Sequence, residues 1–401
     1  MQRMKHFSHL NTATEVIRQY GGSEPLHYFL KKFFSGQKKF GSKDRKRITH
    51  LCYTFYRVAR AMETPPSPGI EIIQEIIMAG LFLCSNESDE LLGVVKPSWN
   101  KKINSSENEK AAMINTESEL IRLDLNKVFP AADVLSDNID VKILTISHLY
   151  QPDLFIRIRP GNIEAALKKV QQLELPHEFI PPSAIRFPNG IKVDEIFSID
   201  REVVIQDLSS QRIAGFLKFF IGAPGGTSVW DCCGASGGKS ILAKDILGNI
   251  KLTVSDIRES ILVNLRKRFA AAGITGYRDF VADLTSGRAK LPTDHFDLLI
   301  ADLPCTGSGT WGRTPEQLYF FQPSSIERYS ALQKQILVNV VPQMKQTGKL
   351  LYTTCSVFKQ ENEEIVDFLL QRFPLKVEKM EVLRGYDTKA DTMFGALLSY
   401  L

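Results

Sequence analysis

The stretch TSVWDCCGASGGKS (residues 227–240) decides how the chain folds. Its first five residues, Thr227 to Asp231, have the apolar and β-branched content of a buried strand, and the residues after them are almost all small. A strand that enters such a turn and then a helix is the opening unit of an alternating α/β sheet. The same rhythm continues outward, with strands predicted at 251–256 (KLTVSD), 277–283, 296–302 (FDLLIAD) and 348–354. Helical periodicity falls between them, at 239–247, 258–272, 324–346 and 360–372. The expected fold class is therefore α/β, a doubly wound, Rossmann-like parallel sheet occupying 221–401. Ligands of such sheets lie beyond the carboxyl ends of the strands, so the residues just after each strand are the candidates for chemistry.

Small residues at 232–238 let backbone amides approach a ligand, and the next helix offers free N–H groups at its start. The Gly238-Lys239-Ser240 ending suggests a phosphate loop, but that motif needs a glycine five residues before Gly238, where Cys233 stands. Asp256 ends the second strand, twenty-five residues past Asp231, where a carboxylate can accept hydrogen bonds from both ribose hydroxyls. Asp283 and Asp302 end the third and fourth strands. A single Asp at a strand end is more often a helix cap; three in succession after a Gly-rich turn point to a site. Cys305 follows the fourth strand and Cys355 the fifth. A solitary buried Cys is usually an inert apolar residue. If the two strands are neighbours, however, two thiols emerge side by side at the ligand end, in loops of the kind that carry reactive groups.

Upstream, residues 1 to about 95 show helical periodicity, for example Ile48, Leu51, Cys52, Phe55 and Val58, and a polar stretch at 100–119 reads as a loop or weak helix, so that 1–140 is expected to form a helical domain. Segment 141–220 changes to a small α+β module: strands at 153–160, near 184–187 and at 202–206, and a helix at 162–175. Residues 1–60 carry thirteen Lys and Arg against three acids, so that segment is +10 and the rest of the +5 chain is −5. That cluster is either a solvated helical face or a surface built to meet a polyanion. No run of 18 apolar residues spans a membrane, and the first thirty residues lack the core of a secretory signal. In the cytoplasm, expected by default, the six Cys stay reduced, and their spacing fits neither zinc nor another structural metal.

Three blocks together resemble the Sun/RsmB family of RNA cytosine-C5 methyltransferases, which use S-adenosylmethionine. DCCGASGGKS (231–240) resembles the family's D-x-C-A-A-P-G-G-K-T loop, and DLPCTGSGTWGRTPE (302–316) its D-x-P-C-S-G-x-G-x-x-R-R-x-P-[DE] block. YTTCSVFKQENEEIV (352–366) resembles Y-S-T-C-S-x-x-x-x-E-N-E. More weakly, Gly41-Ser42-Lys43-Asp44-Arg45 with LCYTFYR (51–57) resembles the NusB-type RNA-binding domain of the bacterial 16S ribosomal RNA members. The resemblance implies a helical NusB-like domain, an RRM-like module and a methyltransferase domain. It implies that Cys355 adds to cytosine C6, that Cys305 aids release and that Asp302 contacts the base at N3. It further implies that Cys233, Gly234, Ala235, Ser236, Gly237, Gly238 and Lys239 wrap the methionine part of S-adenosylmethionine, with Asp256 on the ribose, Asp283 on the adenine side and Asp302 beside the cofactor. Gly234 and Ser236 depart from the family's Ala and Pro, and Gly312 from its first Arg. The partner expected is RNA, ribosomal before transfer RNA, with no membrane and no metal, and the chain is expected to act as a monomer. The alternatives are an idle RNA-binding or ribosome-assembly protein of the same fold, and a nucleotide hydrolase.

Overall fold

The structure, a computed structural model, describes residues 2–37, 39–65, 67–220, 226–286 and 291–401. Lys38 and the side chain of Arg3, counted in the basic cluster, lie outside the described residues, as does the expected domain start at 221. The chain divides into two compact units.

The first unit comprises residues 1–133, 140–151 and 311–322. Its longest helices are Gln2–Gln19, Ser42–Val58 and Ile70–Leu83. Residues such as Leu30, Ile48, Leu51, Phe55, Ile76, Phe82 and Trp99 meet in one core. The polar stretch at 100–119 contains a helix, Glu107–Glu117, closed by a capping box in which Ser106 and Glu109 accept each other's backbone N–H. Lys110 on that helix is buried and donates to Ser85 O and Asn86 Oδ1, which explains a cation on its inner face. Two boundaries differ from the expected ones. Helix Val141–Ser147 groups with this unit rather than with the small module, and so do residues 311–322, expected in the catalytic domain. Hydrogen bonds that no local pattern records hold these pieces: Arg57, buried, donates to His148 O, Tyr150 O and Gly312 O, and Glu316 accepts from Leu26 N. Gly312 thus contributes a carbonyl to a buried guanidinium.

The second unit holds two sheets. The smaller is antiparallel, with strands β1 (Leu154–Ile158), β2 (Glu178–Ile180), β3 (Ala184–Phe187) and β4 (Val203–Ile205) in the order β2-β3-β1-β4. Helix Ile163–Gln172 buries Ala166 and Val170 in its core. The larger sheet has strands β5 (Thr227–Asp231), β6 (Ile250–Asp256), β7 (Arg278–Val281), β8 (Phe296–Asp302), β9 (Met344–Thr354), β10 (Leu375–Leu383) and β11 (Met393–Tyr400). Their order is β10-β11-β9-β8-β5-β6-β7. Alternate residues of each strand enter opposite cores, as the pleat requires: Val229, Leu298 and Leu351 one, Trp230, Leu299 and Tyr352 the other.

The five strands from β9 to β7 are parallel, but β11 pairs antiparallel with both β9 and β10, so the sheet is mixed rather than wholly parallel. A strand that reaches the sheet without a crossover helix must run antiparallel to its neighbour. No helix separates β10 from β11. Among the described residues no helix is long and apolar enough to cross a membrane.

Candidate active site

Every group of interest sits where a parallel strand ends. β5 delivers Asp231, which is buried and accepts Ser240 Oγ at 2.6 Å; burial pushes its carboxyl up to about 7. The chain then turns through Ala235 (φ 44°) and Gly237 (φ 84°) into helix Gly238–Leu247. Gly234 packs against β6: its N–H donates to Ser255 O at 2.9 Å, and a Cβ there would meet Val254 Cγ1 at 2.3 Å. The departure from Ala is thus matched to Val254. Asp256, at the end of β6, accepts Ala235 N at 3.1 Å and also Arg258 N and Nε. Asp283 lies two residues beyond β7 and is exposed, its carboxylate held low by Thr285, which donates both N–H and Oγ1.

β8 and β9 are neighbours in parallel register, with Asp302 opposite Thr353. Asp302 accepts Lys239 Nζ at 2.6 Å and Thr353 Oγ1 at 2.8 Å. Burial alone would lower the Lys239 ammonium, but the Asp302 carboxylate outweighs it and raises the group. Three residues past β8 stands Cys305, and its Sγ lies 3.3 Å from that of Cys355, just after β9. The Cys305 thiol is pushed well upward, first by its hydrogen bond with Cys355 and then by burial.

The two Cys loops are tied by Glu361, a fully buried residue that the sequence marks only as part of a matching block. Its carboxylate accepts Thr306 N (2.8 Å), Thr306 Oγ1 (2.6 Å) and Ser356 Oγ (2.5 Å). Thr306 follows Cys305 and Ser356 follows Cys355, so one carboxylate fixes both thiols. The next residue, Asn362, accepts Thr354 Oγ1 and donates to Ser356 O and Ser136 Oγ, and Glu363 accepts Ser136 Oγ and Asp137 N. The Glu-Asn-Glu block is therefore a scaffold. Gly309 completes it: its N–H donates to Cys355 O at 2.8 Å, and a Cβ there would lie 2.0 Å from Thr392 O. A Gly309→Ala variant is expected to lose about 1–3 kcal/mol, read as a lower urea midpoint. An unchanged midpoint would mean that this turn yields freely.

A cavity of about 430 Å³ runs along these strand ends, within the size range of small-molecule sites. Of the residues singled out by sequence, Cys233, Ala235, Asp256, Asp283, Asp302, Cys305 and Cys355 line it. Gly234, Ser236, Gly237, Gly238 and Lys239 do not; they shape the loop, and Lys239 reaches Asp302. Sequence reasoning missed the walls: Ile257 and Arg258 after β6, Leu284, and Leu332 with Ile336. The last pair, four apart on helix Ser324–Val340, is a helical-face signal that named a core position but not a site. Strand order sets the long axis, from the thiols and Asp302 on β9 and β8, past the β5 loop, to Asp256 and Asp283 on β6 and β7. Among the described residues no group of three or more His, Cys, Asp or Glu is arranged to hold a metal.

A doubly wound sheet with a Gly-rich first turn and an acid ending the second strand is the arrangement of the α/β methyltransferase fold, here with a pair of thiols at adjacent strand ends. Residues 223–393 match the family described as 16S rRNA methyltransferase RsmB/F. The chain is 25% identical over 232 residues to the probable ribosomal RNA small subunit methyltransferase B of Bacillus subtilis (strain 168), covering 57% of this chain and 51% of that protein. With the ribosomal RNA small subunit methyltransferase B of Xanthomonas campestris pv. campestris it shares 28% over 218 residues, 54% of this chain and 49% of the relative. The chain thus spans about half the length of the curated relatives it matches. Among solved structures, PH0851 has a TM-score of 0.72 at 18% identity, covering 98% of both chains. NSun6 from Pyrococcus horikoshii, solved with SFG, has a TM-score of 0.54 at 14% identity, covering 65% of this chain and 95% of that one. These two likenesses establish the fold.

Proposed function

We propose that this protein transfers a methyl group to C5 of a cytosine in RNA, with small-subunit ribosomal RNA as the substrate and S-adenosylmethionine as the donor. The observation that carries the reading is the pair of thiols 3.3 Å apart at adjacent strand ends, facing one cavity with Asp302. Relatives described as small-subunit ribosomal RNA methyltransferases support the substrate class.

The cavity fits the donor chemically: carboxylates at Asp256 and Asp283 suit hydroxyl and amino groups of a nucleoside, and Asp302 suits a cation. Cys233 and Ala235 border the same cavity, on a loop shaped by Gly234, Ser236, Gly237, Gly238 and Lys239. When bound, S-adenosylmethionine supplies a methyl group on an electron-poor sulfur. Cytosine C5 is a poor nucleophile until a thiolate adds at C6. The Cys355 sulfur forms that bond, and the displaced ring electron pair makes C5 nucleophilic. Asp302, protonated at this step, donates its proton to N3 as negative charge builds there, and the Lys239 ammonium beside it stabilises the carboxylate that remains. After methylation the C5 proton leaves, its electron pair re-forms the C5–C6 double bond, and the C6–sulfur bond breaks to return Cys355 as thiolate.

Cys305 takes the C5 proton in this scheme. The largest influence holding it protonated is its hydrogen bond with Cys355. Once Cys355 is a neutral thioether that influence is gone, so Cys305 releases its own proton to solvent more readily and becomes the thiolate that accepts the C5 proton.

The base must be unpaired or flipped to reach the cavity, and phosphate attraction by the basic first sixty residues supplies affinity. Isothermal titration with S-adenosylmethionine, using ATP as control, and bisulfite sequencing of 16S ribosomal RNA treated with the protein test the reading. ATP binding without S-adenosylmethionine binding overturns it. Replacing exposed Lys31, Lys39 and Lys43 by Gln is expected to lower the slope of log affinity against log salt by about 1 per lost phosphate contact. An unchanged slope returns these lysines to a solvated face.

A further inference from the structure

Ser236 stands in the cofactor loop where the family pattern has Pro, a residue whose ring would fix φ by itself. Here an outside group holds it. Arg268, on helix Glu259–Ala271, donates Nη1 to both Ser236 O and Ser236 Oγ, each at 3.0 Å. The rest of the guanidinium is occupied: Nε and Nη2 donate to the two carboxylate oxygens of Asp200, at 2.9 and 2.6 Å. Such a two-pronged pair fixes the plane as well as the position of the guanidinium.

Asp200 is itself constrained. It is buried, adopts φ 62°, donates its N–H to Val203 O at 2.7 Å at the start of β4, and gives its carbonyl to Arg159 Nη1 at 2.8 Å. Arg159 and Arg157, from the β1 side of the small sheet, both reach the buried Asp245 carboxylate on helix Gly238–Leu247, the helix that the cofactor loop opens. The small sheet therefore grips that loop at both ends, through Asp200–Arg268 on Ser236 and through Arg157 and Arg159 on the helix behind it.

We propose that Arg268, clamped by Asp200, is a positioning residue that sets the shape of the 233–238 loop, and that through it the four-stranded module controls cofactor affinity. A loop residue in a sparsely populated conformation, Ala235 at φ 44°, persists only where its surroundings hold it, and Arg268 holds the neighbouring residue. The inference rests on the reading of this loop as the S-adenosylmethionine site.

The test compares the full-length wild type with Arg268→Gln and Asp200→Asn by titration with S-adenosylmethionine, by steady-state kinetics on 16S ribosomal RNA and by amide exchange in the ligand-free protein. Arg268→Gln is expected to weaken S-adenosylmethionine binding by about 10- to 100-fold, the scale of lost hydrogen bonds to a charged group. Its kcat at saturating donor and its KM for RNA are expected to stay within about threefold, because Arg268 touches neither reacting group. Amides 234–238 exchange faster in the variant. Asp200→Asn keeps a side chain that tolerates positive φ and removes the charge, so it carries the test if Arg268→Gln does not fold, and weakens binding to a lesser degree. Wild-type affinity and exchange in Arg268→Gln overturn the proposal, as does a parallel fall in every kinetic constant. Wild-type behaviour of Asp200→Asn beside a weakened Arg268→Gln overturns the control by the small module. If the wild type binds no S-adenosylmethionine, the functional reading fails instead, while the exchange rates still report on the loop.

Discussion

Replacing Cys355 by serine is expected to abolish methyl transfer, a loss of at least about a thousandfold, while donor affinity stays within a few fold. A serine hydroxyl at that position holds its proton far more tightly than a thiol, and the neighbouring Cys305 is too weak a base to take it. Donor affinity is spared because the carboxylates offered to the nucleoside, Asp256 and Asp283, lie on β6 and β7, across the sheet from β9. Cys305→Ser is expected to behave oppositely: addition and methylation proceed, release stalls, and the protein runs on a denaturing gel as a covalent RNA complex. With Cys305 as the group that removes the C5 proton, its loss leaves the C6–sulfur bond intact. The pair of variants assigns the roles. Adduct from Cys355→Ser with normal turnover by Cys305→Ser would exchange them, and normal turnover by both would remove the thiols from the chemistry altogether.

The reacting end is legible in the sequence because its residues are local to strand ends. FDLLIAD and the run to Thr354 announce strands, and each strand gives way to a short turn, so Asp302, Cys305 and Cys355 fall into place once β8 and β9 are adjacent. Adjacency itself is a topological property, and the 3.3 Å between the sulfurs is written in no local pattern. The alternation of strands and helices reads clearly only as far as residue 372. Beyond it lie β10 and β11, whose antiparallel pairing depends on a sheet edge made by other parts of the chain. Residues 311–322 continue the P-C block without a break, yet their partners are Arg57 and Leu26, more than 250 positions away. Glu361 and Arg268 are invisible as functional residues for the same reason. A charged side chain in an amphipathic stretch reads as solvent-facing until a distant set of donors or acceptors is brought to it. The sequence shows which groups react more readily than it shows the groups that hold them.

Glu361 is where that difference is largest, and Glu361→Ala is expected to cost about 3–5 kcal/mol of stability and most of the methyl transfer. Deleting the carboxylate removes the acceptor that Thr306 N, Thr306 Oγ1 and Ser356 Oγ share and leaves the two hydroxyls only the longer contacts with each other and with Ser308 Oγ, and each buried donor that loses its acceptor costs about 1–3 kcal/mol. The loss of activity has a separate origin. Glu361 bridges the residues that follow the two thiols, so its loss loosens the tie that fixes the separation of the sulfurs and leaves the Gly309 and Ser308 bonds to hold the loops. Glu361→Gln separates the two effects. It keeps the shape, but its amide brings N–H donors toward a site made of donors, so it is expected to retain more stability than Ala and still react poorly. Burial raises the Glu361 carboxyl above its ordinary 4.5, so its ionisation opposes folding: its contribution is greatest below 4.5 and falls as pH rises through the higher folded value. Glu361→Gln cannot ionise. The stability of wild type relative to that variant should therefore decline with rising pH above 4.5, measured by urea unfolding across pH 4 to 8. A constant difference would show a carboxyl that ionises alike in both states. Full methyl transfer by either variant at a temperature where it is folded would show that the spacing of the thiols does not depend on this residue.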